Sequence, residues 1–299
     1  MTETAAQLNP GRIRLALLTI QVLFGINYLA SKVIVDEMSP GGWAALRTGA
    51  AFFVIAVIAL LGKRRLPPAK DIGLLAVCGL FGVVLNQGLF LEGLSRTTVS
   101  HSALICSQIP TFVLVISLAF GLEAFSWRKF LGFVCGIGGV LVLLEVDNLQ
   151  FDSAYLTGDL MTLANAASYA IFIVISRKVM ARNDPLAATA VVFFFGAAGM
   201  ALYGGRDLLA TDPAVFTPAI MGTMLYVIVG ATVVTYFLNL WAVKRVQATR
   251  VAIFIFLQPV IAATLGVIFR GNDITPRFLI ATVLVFLALM LRDSRGSRS

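Results

Sequence analysis

The amino-acid sequence predicts an all-α integral membrane protein with ten transmembrane helices in two inverted five-helix repeats. Three observations support this prediction. First, 59% of the 299 residues are hydrophobic and only 13% are charged, whereas about 25% of the residues of a soluble domain are charged. Second, the apolar residues form ten runs, each about long enough to span a membrane. Third, the chain resembles itself after a shift of 149 residues.

The ten apolar runs contain almost no charge and are separated by short loops. The loops carry residues that stop helices, such as Pro67-Pro68 and Asp184-Pro185. The first run lacks a small-x-small cleavage site, so we expect a retained helix rather than a signal peptide. The predicted spans are residues 15–35, 43–62, 71–91, 99–121, 127–145, 156–179, 186–204, 215–241, 247–269 and 277–292.

The internal repeat divides the chain into residues 1–149 and 150–299, two five-helix halves of one membrane domain. Because five is odd, the second half must enter the membrane from the opposite side, so the two halves are inverted relative to each other. Near the start of each half the matching shift is 145 residues, and the longer loop around 203–214 absorbs the difference. The 149-residue shift aligns these pairs: Pro110 with Pro259, Asn86 with Thr235, and Gln87 with Tyr236.

The distribution of the 23 lysines and arginines predicts the orientation of the chain. Cytoplasmic loops carry the excess of positive charge. With a cytoplasmic N-terminus, 17 of these residues fall on the cytoplasmic side, five fall outside, and Arg47 lies within the second span. We therefore expect both termini in the cytoplasm, in a bacterial plasma (inner) membrane. Arg47 lies one turn inside its span and is interpreted as a residue that snorkels outward to the interface.

Composition and motifs argue against several functions. The net charge is +8, but the basic residues lie between apolar runs rather than on one surface, so no nucleic acid is expected. The three cysteines and the single His101 lack the spacing of metal ligands, and no metal or other cofactor is predicted. The absence of a Walker loop argues against ATP-driven pumping by this chain. The expected partners are a small-molecule substrate and the lipid bilayer, with no obligatory protein partner, so we expect a monomer.

Polar residues inside the spans form the predicted substrate site, because polar groups in hydrocarbon are costly and generally face a cavity. The fourth and ninth helices contain Pro110 and Pro259, predicted as helix-break and gating positions, and paired broken helices indicate a transport site. The alternative for the amide residues is hydrogen bonding between helices, and for the histidine a structural role. The predicted substrate-binding residues are Asn27, Asn86, Gln87, His101, Gln108, Asn165, Tyr169, Tyr236, Asn239 and Gln258.

Transport of a small polar metabolite, by a facilitative or exchange mechanism, is the predicted function. Proton-coupled exporters commonly use a carboxylate deep in a span, and none lies there in this sequence. His101 and Glu92 are the remaining candidates for carrying a proton. One alternative is a multidrug or cation efflux transporter, which would require a buried acid. A further alternative is an intramembrane enzyme that uses Ser102 or Ser107 with His101, although no oxyanion element is visible.

Several short motifs carry a family resemblance: Phe24-Gly25-Ile26-Asn27, Gln108-Ile109-Pro110, Gly121-Leu122-Glu123 and Gln258-Pro259. Together with the ten spans and the two halves, they make the whole chain similar to the drug/metabolite transporter superfamily, in its EamA-type branch. Within that branch the chain looks most like the YddG-type amino-acid exporters. The resemblance implies a central cavity between the halves, alternating access, and export of neutral or aromatic amino acids.

Overall fold

The computed structural model describes residues 10–143, 153–261, 264 and 276–293. Within these residues the fold is built from helices, which confirms the predicted ten transmembrane helices in two inverted five-helix repeats. We number them α1 (Pro10–Val35), α2 (Pro40–Leu61), α3 (Ala69–Arg96), α4 (Val99–Cys106 and Ile109–Ala119), α5 (Trp127–Leu143), α6 (Ser153–Met180), α7 (Pro185–Leu209), α8 (Pro218–Val243), α9 (Ala248–Ile261) and α10 (Pro276–Asp293).

Helix ends differ from the predicted spans by a few residues, because polar first turns extend the helices beyond their apolar runs. Thus α1 begins at Pro10 rather than at residue 15, and α6 begins at Ser153 rather than at residue 156. The predicted ends of the fifth and ninth spans lie outside the described residues. The predicted boundary between the halves, after residue 149, also lies there and stays a prediction.

The repeat is visible in the helix boundaries themselves. In the first part of each half, a shift of 145 residues superimposes the end of α1 on that of α6, and the start of α2 on that of α7. In the rest of each half, a shift of 149 superimposes the starts of the remaining helices. The matched pairs of boundaries are Val35 and Met180, Pro40 and Pro185, Ala69 and Pro218, Val99 and Ala248, and Trp127 and Pro276.

Side-chain caps fix the equivalent starts of α2 and α7. Ser39 Oγ accepts a hydrogen bond from the amide of Gly42, and Asp184 Oδ1 accepts bonds from the amides of Leu186 and Ala187. A proline follows each cap in the first turn, where its missing N–H costs no helical hydrogen bond. Both loops therefore end at a defined residue in each half.

Two helices depart from α-geometry at equivalent places. In α3 residues Leu80–Leu85 form a π-helical turn, and in α8 residues Val229–Val234 form another, 149 residues later. A π-helical turn bonds each N–H to the carbonyl five residues earlier, widens the helix and frequently marks a functional site. Both turns lie directly before the polar residues that the sequence singled out in these helices.

The two halves pack through equivalent helices, α2 against α7 and α5 against α10. At the crossing of α2 and α7 the backbones touch at Gly41 and Gly204. A β-carbon added to Gly204 would overlap the carbonyl oxygen of Gly41. Close approach of this kind is typical of small residues at helix interfaces in membranes.

A buried carboxylate also joins the halves, at the face of the bundle where α1 begins, which we call the N-terminal face. Glu123, in the loop after α4, accepts hydrogen bonds at Oε2 from Lys129 Nζ and from Thr249 Oγ1 in α9, each 2.7 Å long. Burial alone would raise the pKa of Glu123, but the bonds from Lys129 and Thr249 outweigh it and the net pKa is lowered. The carboxylate therefore stays charged and holds the start of α9.

Replacing Gly204 by alanine should destabilise the protein, because the added methyl group would force α2 and α7 apart. We expect a loss of about 1–3 kcal/mol, measured as a lower midpoint of thermal unfolding in detergent micelles. Gly205→Ala is the matched control, since a β-carbon there meets nothing within 4 Å. Equal midpoints for the two variants would contradict the close approach of α2 and α7.

Candidate functional site

A cavity of about 60 Å³ lies between the two halves. Its walls come from α1, α2, α3, α4, α6, α8 and α9. They combine five aromatic rings, five carboxamide side chains and one guanidinium. The lining residues are Phe24, Asn27, Tyr28, Arg47, Asn86, Gln87, Phe90, Cys106, Ile109, Asn165, Tyr169, Tyr236 and Gln258.

Two repeat-equivalent residues meet in this cavity. Gln87 and Tyr236 are separated by 149 residues, and Gln87 Nε2 lies 3.3 Å from the hydroxyl oxygen of Tyr236. Residues related by a twofold operation can touch only close to its axis. The cavity therefore lies on the pseudo-twofold axis that relates the halves.

The π-helical turns supply backbone acceptors at the same axis. The carbonyl of Gly82 lies 2.5 Å from the hydroxyl of Tyr236 in the other half. Its repeat equivalent, the carbonyl of Ala231, lies 3.4 Å from Nη2 of Arg47, again in the other half. Each turn thus exposes a carbonyl to a side chain from across the axis, which joins the halves at their centre.

Arg47 does not snorkel to the interface, and the interpretation made from the sequence is wrong. Arg47 is only 2% exposed. Its Nε donates a 2.7 Å hydrogen bond to Thr232 Oγ1 in the π-helical turn of α8, so the side chain is directed into the bundle. No carboxylate among the described residues forms an ion pair with it. The sequence contained an indication that Arg47 is a functional residue, because an arginine inside a membrane span is a functional candidate by default.

Carboxamides connect several helices around the cavity. Gln258 in α9 accepts a 3.1 Å bond from the Tyr28 hydroxyl and donates a 2.7 Å bond to Gln21 Oε1, both in α1. Asn165 Nδ2 donates to the backbone carbonyl of Asn86 at 2.6 Å. These residues therefore line the cavity and also hold helices together. Their positions agree with both interpretations made from the sequence, a cavity-lining role and hydrogen bonding between helices.

The Oε1 atom of Gln87 is buried and has no hydrogen-bond partner in the described part of the chain. Gln87 is 2% exposed and lies on the axis. An unpaired buried acceptor costs free energy unless a ligand or water supplies a donor. The cavity thus presents one open acceptor near a buried cation.

Repeat-equivalent residues in and around the cavity differ in chemistry between the two halves. In the second half Tyr169, Phe172, Phe193 and Tyr236 form an aromatic cluster with ring centroids 4.9 to 6.4 Å apart. Their equivalents in the first half include one aromatic ring and three polar side chains. These equivalents are Phe24, Asn27, Thr48 and Gln87.

Seven of the ten predicted binding residues line the cavity, and Asn239, Gln108 and His101 do not. Asn239 lies behind it and donates through Nδ2 to the hydroxyl of Tyr169 at 2.5 Å. Gln108 is half-buried and bonds to its neighbour Ser107. Gln108 lies in the interruption of α4, where Ser107 and Gln108 separate the two parts of the helix.

The predicted break residues lie where each interruption ends. Pro110 occupies the first turn of the second part of α4, where its missing N–H leaves no helical bond unmade. In α9 a 3₁₀ turn at Ile253–Phe256 precedes Gln258 and Pro259. Both prolines are buried. Their predicted gating role stays a prediction.

His101 and Glu92 belong to a separate polar group at the face opposite the N-terminal face. His101 Nδ1 lies 3.0 Å from Asp159 Oδ2 in α6, and Thr97 Oγ1 donates to Asp159 Oδ1 at 2.6 Å. Glu92 forms an ion pair with Arg96. Neither proposed proton carrier lines the central cavity. In the described ranges, moreover, no cluster of histidine, cysteine and acidic residues could hold a metal ion.

An inverted-repeat helical bundle with a polar cavity on its pseudo-twofold axis is an architecture that many membrane transporters share. A model of the EamA-like transporter family matches residues 12–145 and 156–292, one match for each half. The chain therefore belongs to the EamA-like transporter family, within the drug/metabolite transporter superfamily. It is a multi-pass membrane transporter of a small molecule and not an enzyme.

Similar proteins span the same length as this chain. The uncharacterized transporter YoaV of Bacillus subtilis (strain 168) is 22% identical over 288 residues, which cover 96% of this chain and 98% of that protein. The uncharacterized inner membrane transporter YedA of Escherichia coli (strain K12) is 21% identical, covering 92% and 89%. One crystal structure matches with a TM-score of 0.77 and 19% identity, covering 95% of this chain and 96% of the other, which supports the fold alone.

Replacing Tyr236 by phenylalanine should destabilise the protein, because it leaves the Gly82 carbonyl and Gln87 Nε2 without their partner. We expect a loss of about 1–2 kcal/mol, read from the thermal midpoint in detergent. The control is Tyr155→Phe, at the face of the bundle opposite the N-terminal face, because none of the described atoms hydrogen-bonds to the Tyr155 hydroxyl. An unchanged midpoint for Tyr236→Phe would argue against the contact at the axis.

Proposed function

We propose that this protein transports neutral or aromatic amino acids, or closely similar zwitterionic metabolites, through the central cavity by alternating access. The observation that carries the proposal is the buried Arg47, which lines the cavity without an acidic partner among the described residues. The proposed membrane is the bacterial plasma membrane, with both termini in the cytoplasm and export as the direction. The choice of amino acids as the substrate class also rests on the proposed resemblance of the sequence motifs to those of YddG-type exporters.

A buried charge without a counter-charge is costly, so its presence needs a reason. The described partners of Arg47 are neutral, a hydroxyl and a carbonyl, and they occupy only Nε and Nη2. A guanidinium has five N–H donors in a planar fork that matches a carboxylate. A substrate carboxylate would supply the missing negative charge.

The remaining cavity chemistry suits the rest of an amino acid. The open acceptor Gln87 Oε1 can receive an N–H from an ammonium group. The aromatic rings of Phe24, Tyr28, Phe90 and Tyr169 offer apolar surface for a neutral or aromatic side chain. Among the residues that the structure describes, no acidic side chain lines the cavity to pair with a second positive charge on the substrate.

The cavity volume implies movement during transport. About 60 Å³ holds only a few water molecules, because each needs at least about 10–15 Å³. An amino acid requires the halves to separate around the axis. Contacts between the halves at both faces, Glu123 with Thr249 and His101 with Asp159, are the contacts that rocking would break in turn.

The coupling mechanism that we propose is facilitation or exchange. Among the described residues that line the cavity, Arg47 alone has a side chain that is charged at neutral pH. The described lining residues therefore include no carboxylate or histidine that would bind and release a proton in each cycle. Multidrug or cation efflux is disfavoured by the same residue, because a buried guanidinium repels a cationic drug.

Arg47→Gln should lower saturable transport of labelled phenylalanine into proteoliposomes by at least about tenfold, because the carboxylate loses its charged partner. Arg47→Lys should retain more activity, since it keeps the charge without the fork. Arg206→Gln, which removes an exposed arginine from the end of α7, is the control and should transport normally. Assays with and without a pH gradient should give equal rates.

Transport that continues unchanged in Arg47→Gln would contradict the assigned role of the guanidinium. A substrate panel separates the functions: uptake of cationic drugs but not of amino acids would replace the amino-acid proposal by multidrug efflux. Size-exclusion profiles in detergent identify variants that fail to fold. Dependence on the pH gradient would contradict facilitation.

A further inference from the structure

A second cavity, of about 900 Å³, lies at the N-terminal face and shares no lining residue with the central cavity. It is formed by the ends of α4, α6 and α8 and by the starts of α3 and α9. We call it the lateral groove and define it by its apolar residues Leu74, Ile116, Ile171 and Ile175 and its basic residues Arg177, Lys178 and Lys244.

The lateral groove and the central cavity lie on opposite sides of α6. Tyr169 lines the cavity and Ile171 lines the groove, and two residues of helix correspond to a rotation of about 200°. Ile171, Ile175 and Lys178 follow at the spacing of one helical stripe. These two isoleucines are only half-buried and Lys178 is exposed, whereas Phe172, on the other side, is fully buried. The groove therefore opens at the surface of the bundle, and we infer that its deeper part faces lipid because Ile171 and Ile175 are apolar.

Positive charge collects at one end of the groove. Arg177 and Lys178 are exposed, and Lys244 Nζ donates to the backbone carbonyl of Asn183 at 2.7 Å. None of the three forms an ion pair with a carboxylate of the described residues. Within the described part of the chain, the one acid that lines the groove is Glu123, which already forms an ion pair with Lys129.

The charged and apolar parts of the groove are separated along the membrane normal. Ile171 and Lys178 lie seven residues apart on α6, which corresponds to about 10 Å. The basic residues thus lie at the end of the helix, where a headgroup would be, and the isoleucines lie deeper, where an acyl chain would be. An amphiphile with a negative head and an aliphatic tail matches this arrangement.

We propose that the lateral groove binds an anionic phospholipid, with its phosphate at Arg177, Lys178 and Lys244 and an acyl chain along Ile171 and Ile175. Basic pockets between transmembrane helices recognise anionic headgroups in this way. The groove spans α4 of the first half and α6 of the second half. The lipid would therefore contact both of the halves that move in transport.

The test is native mass spectrometry of the full, delipidated chain titrated with phosphatidylglycerol or with phosphatidylcholine. The wild type should retain phosphatidylglycerol in preference to phosphatidylcholine. The triple variant Arg177→Gln, Lys178→Gln, Lys244→Gln should weaken phosphatidylglycerol binding by about tenfold or more. The control triple variant removes the same charge from exposed residues at the same face outside the groove: Arg12→Gln, Lys63→Gln and Arg65→Gln.

A second variant, Ile175→Trp, tests the acyl-chain position by filling the groove while keeping all charges, and it should also weaken binding. Equal weakening in both triple variants would overturn the proposal, because it would indicate general attraction to a basic face. Unchanged binding in the groove triple variant, or equal affinity of the wild type for the two lipids, would overturn it as well. None of these outcomes depends on the identity of the transported substrate.

Discussion

The lack of water in the bilayer core is the constraint on which the structure depends, because every polar group there needs a partner from the protein or its ligand. The two π-helical turns, at Leu80–Leu85 and Val229–Val234, present carbonyls to the middle of the bundle. Each carbonyl lies within reach of a side chain from the opposite half, Tyr236 in one case and Arg47 in the other. The repeat thus satisfies at its axis the two backbone carbonyls that its π-helical turns expose there.

The same constraint concentrates the chemistry of the site. Polar side chains of both halves converge on the axis because it is the place where each half supplies partners to the other. The convergence is unequal, since the second half contributes an aromatic cluster where the first contributes Asn27, Thr48 and Gln87. A cavity that combines carboxamide and aromatic side chains, and whose guanidinium has no acidic partner among the described residues, suits an amphipathic ligand that carries a negative group.

The sequence predicted the helices and the repeat because both depend on period and on apolar length, which a single chain displays directly. It also predicted seven of the residues that line the cavity, because amide side chains inside apolar runs are expected to face a polar interior. The direction of the Arg47 side chain was predicted wrongly. The prediction relied on the short distance along the helix from Arg47 to the end of its span, whereas the hydrogen bond to Thr232 directs the side chain into the bundle. The π-helical turns could not be predicted from the sequence pattern. The side of the helix on which Gln108 lies depends on the break in α4, which the pattern did not locate in detail.

The account depends on the recognition of a carboxylate by Arg47, and calorimetric titration with phenylalanine and with phenylalaninamide tests it directly. The two ligands differ only in the group that the guanidinium would bind. We expect the wild type to bind phenylalanine at least about tenfold more tightly than the amide, and Arg47→Gln to bind the two equally. A preference for phenylalanine that persists in Arg47→Gln would contradict the account.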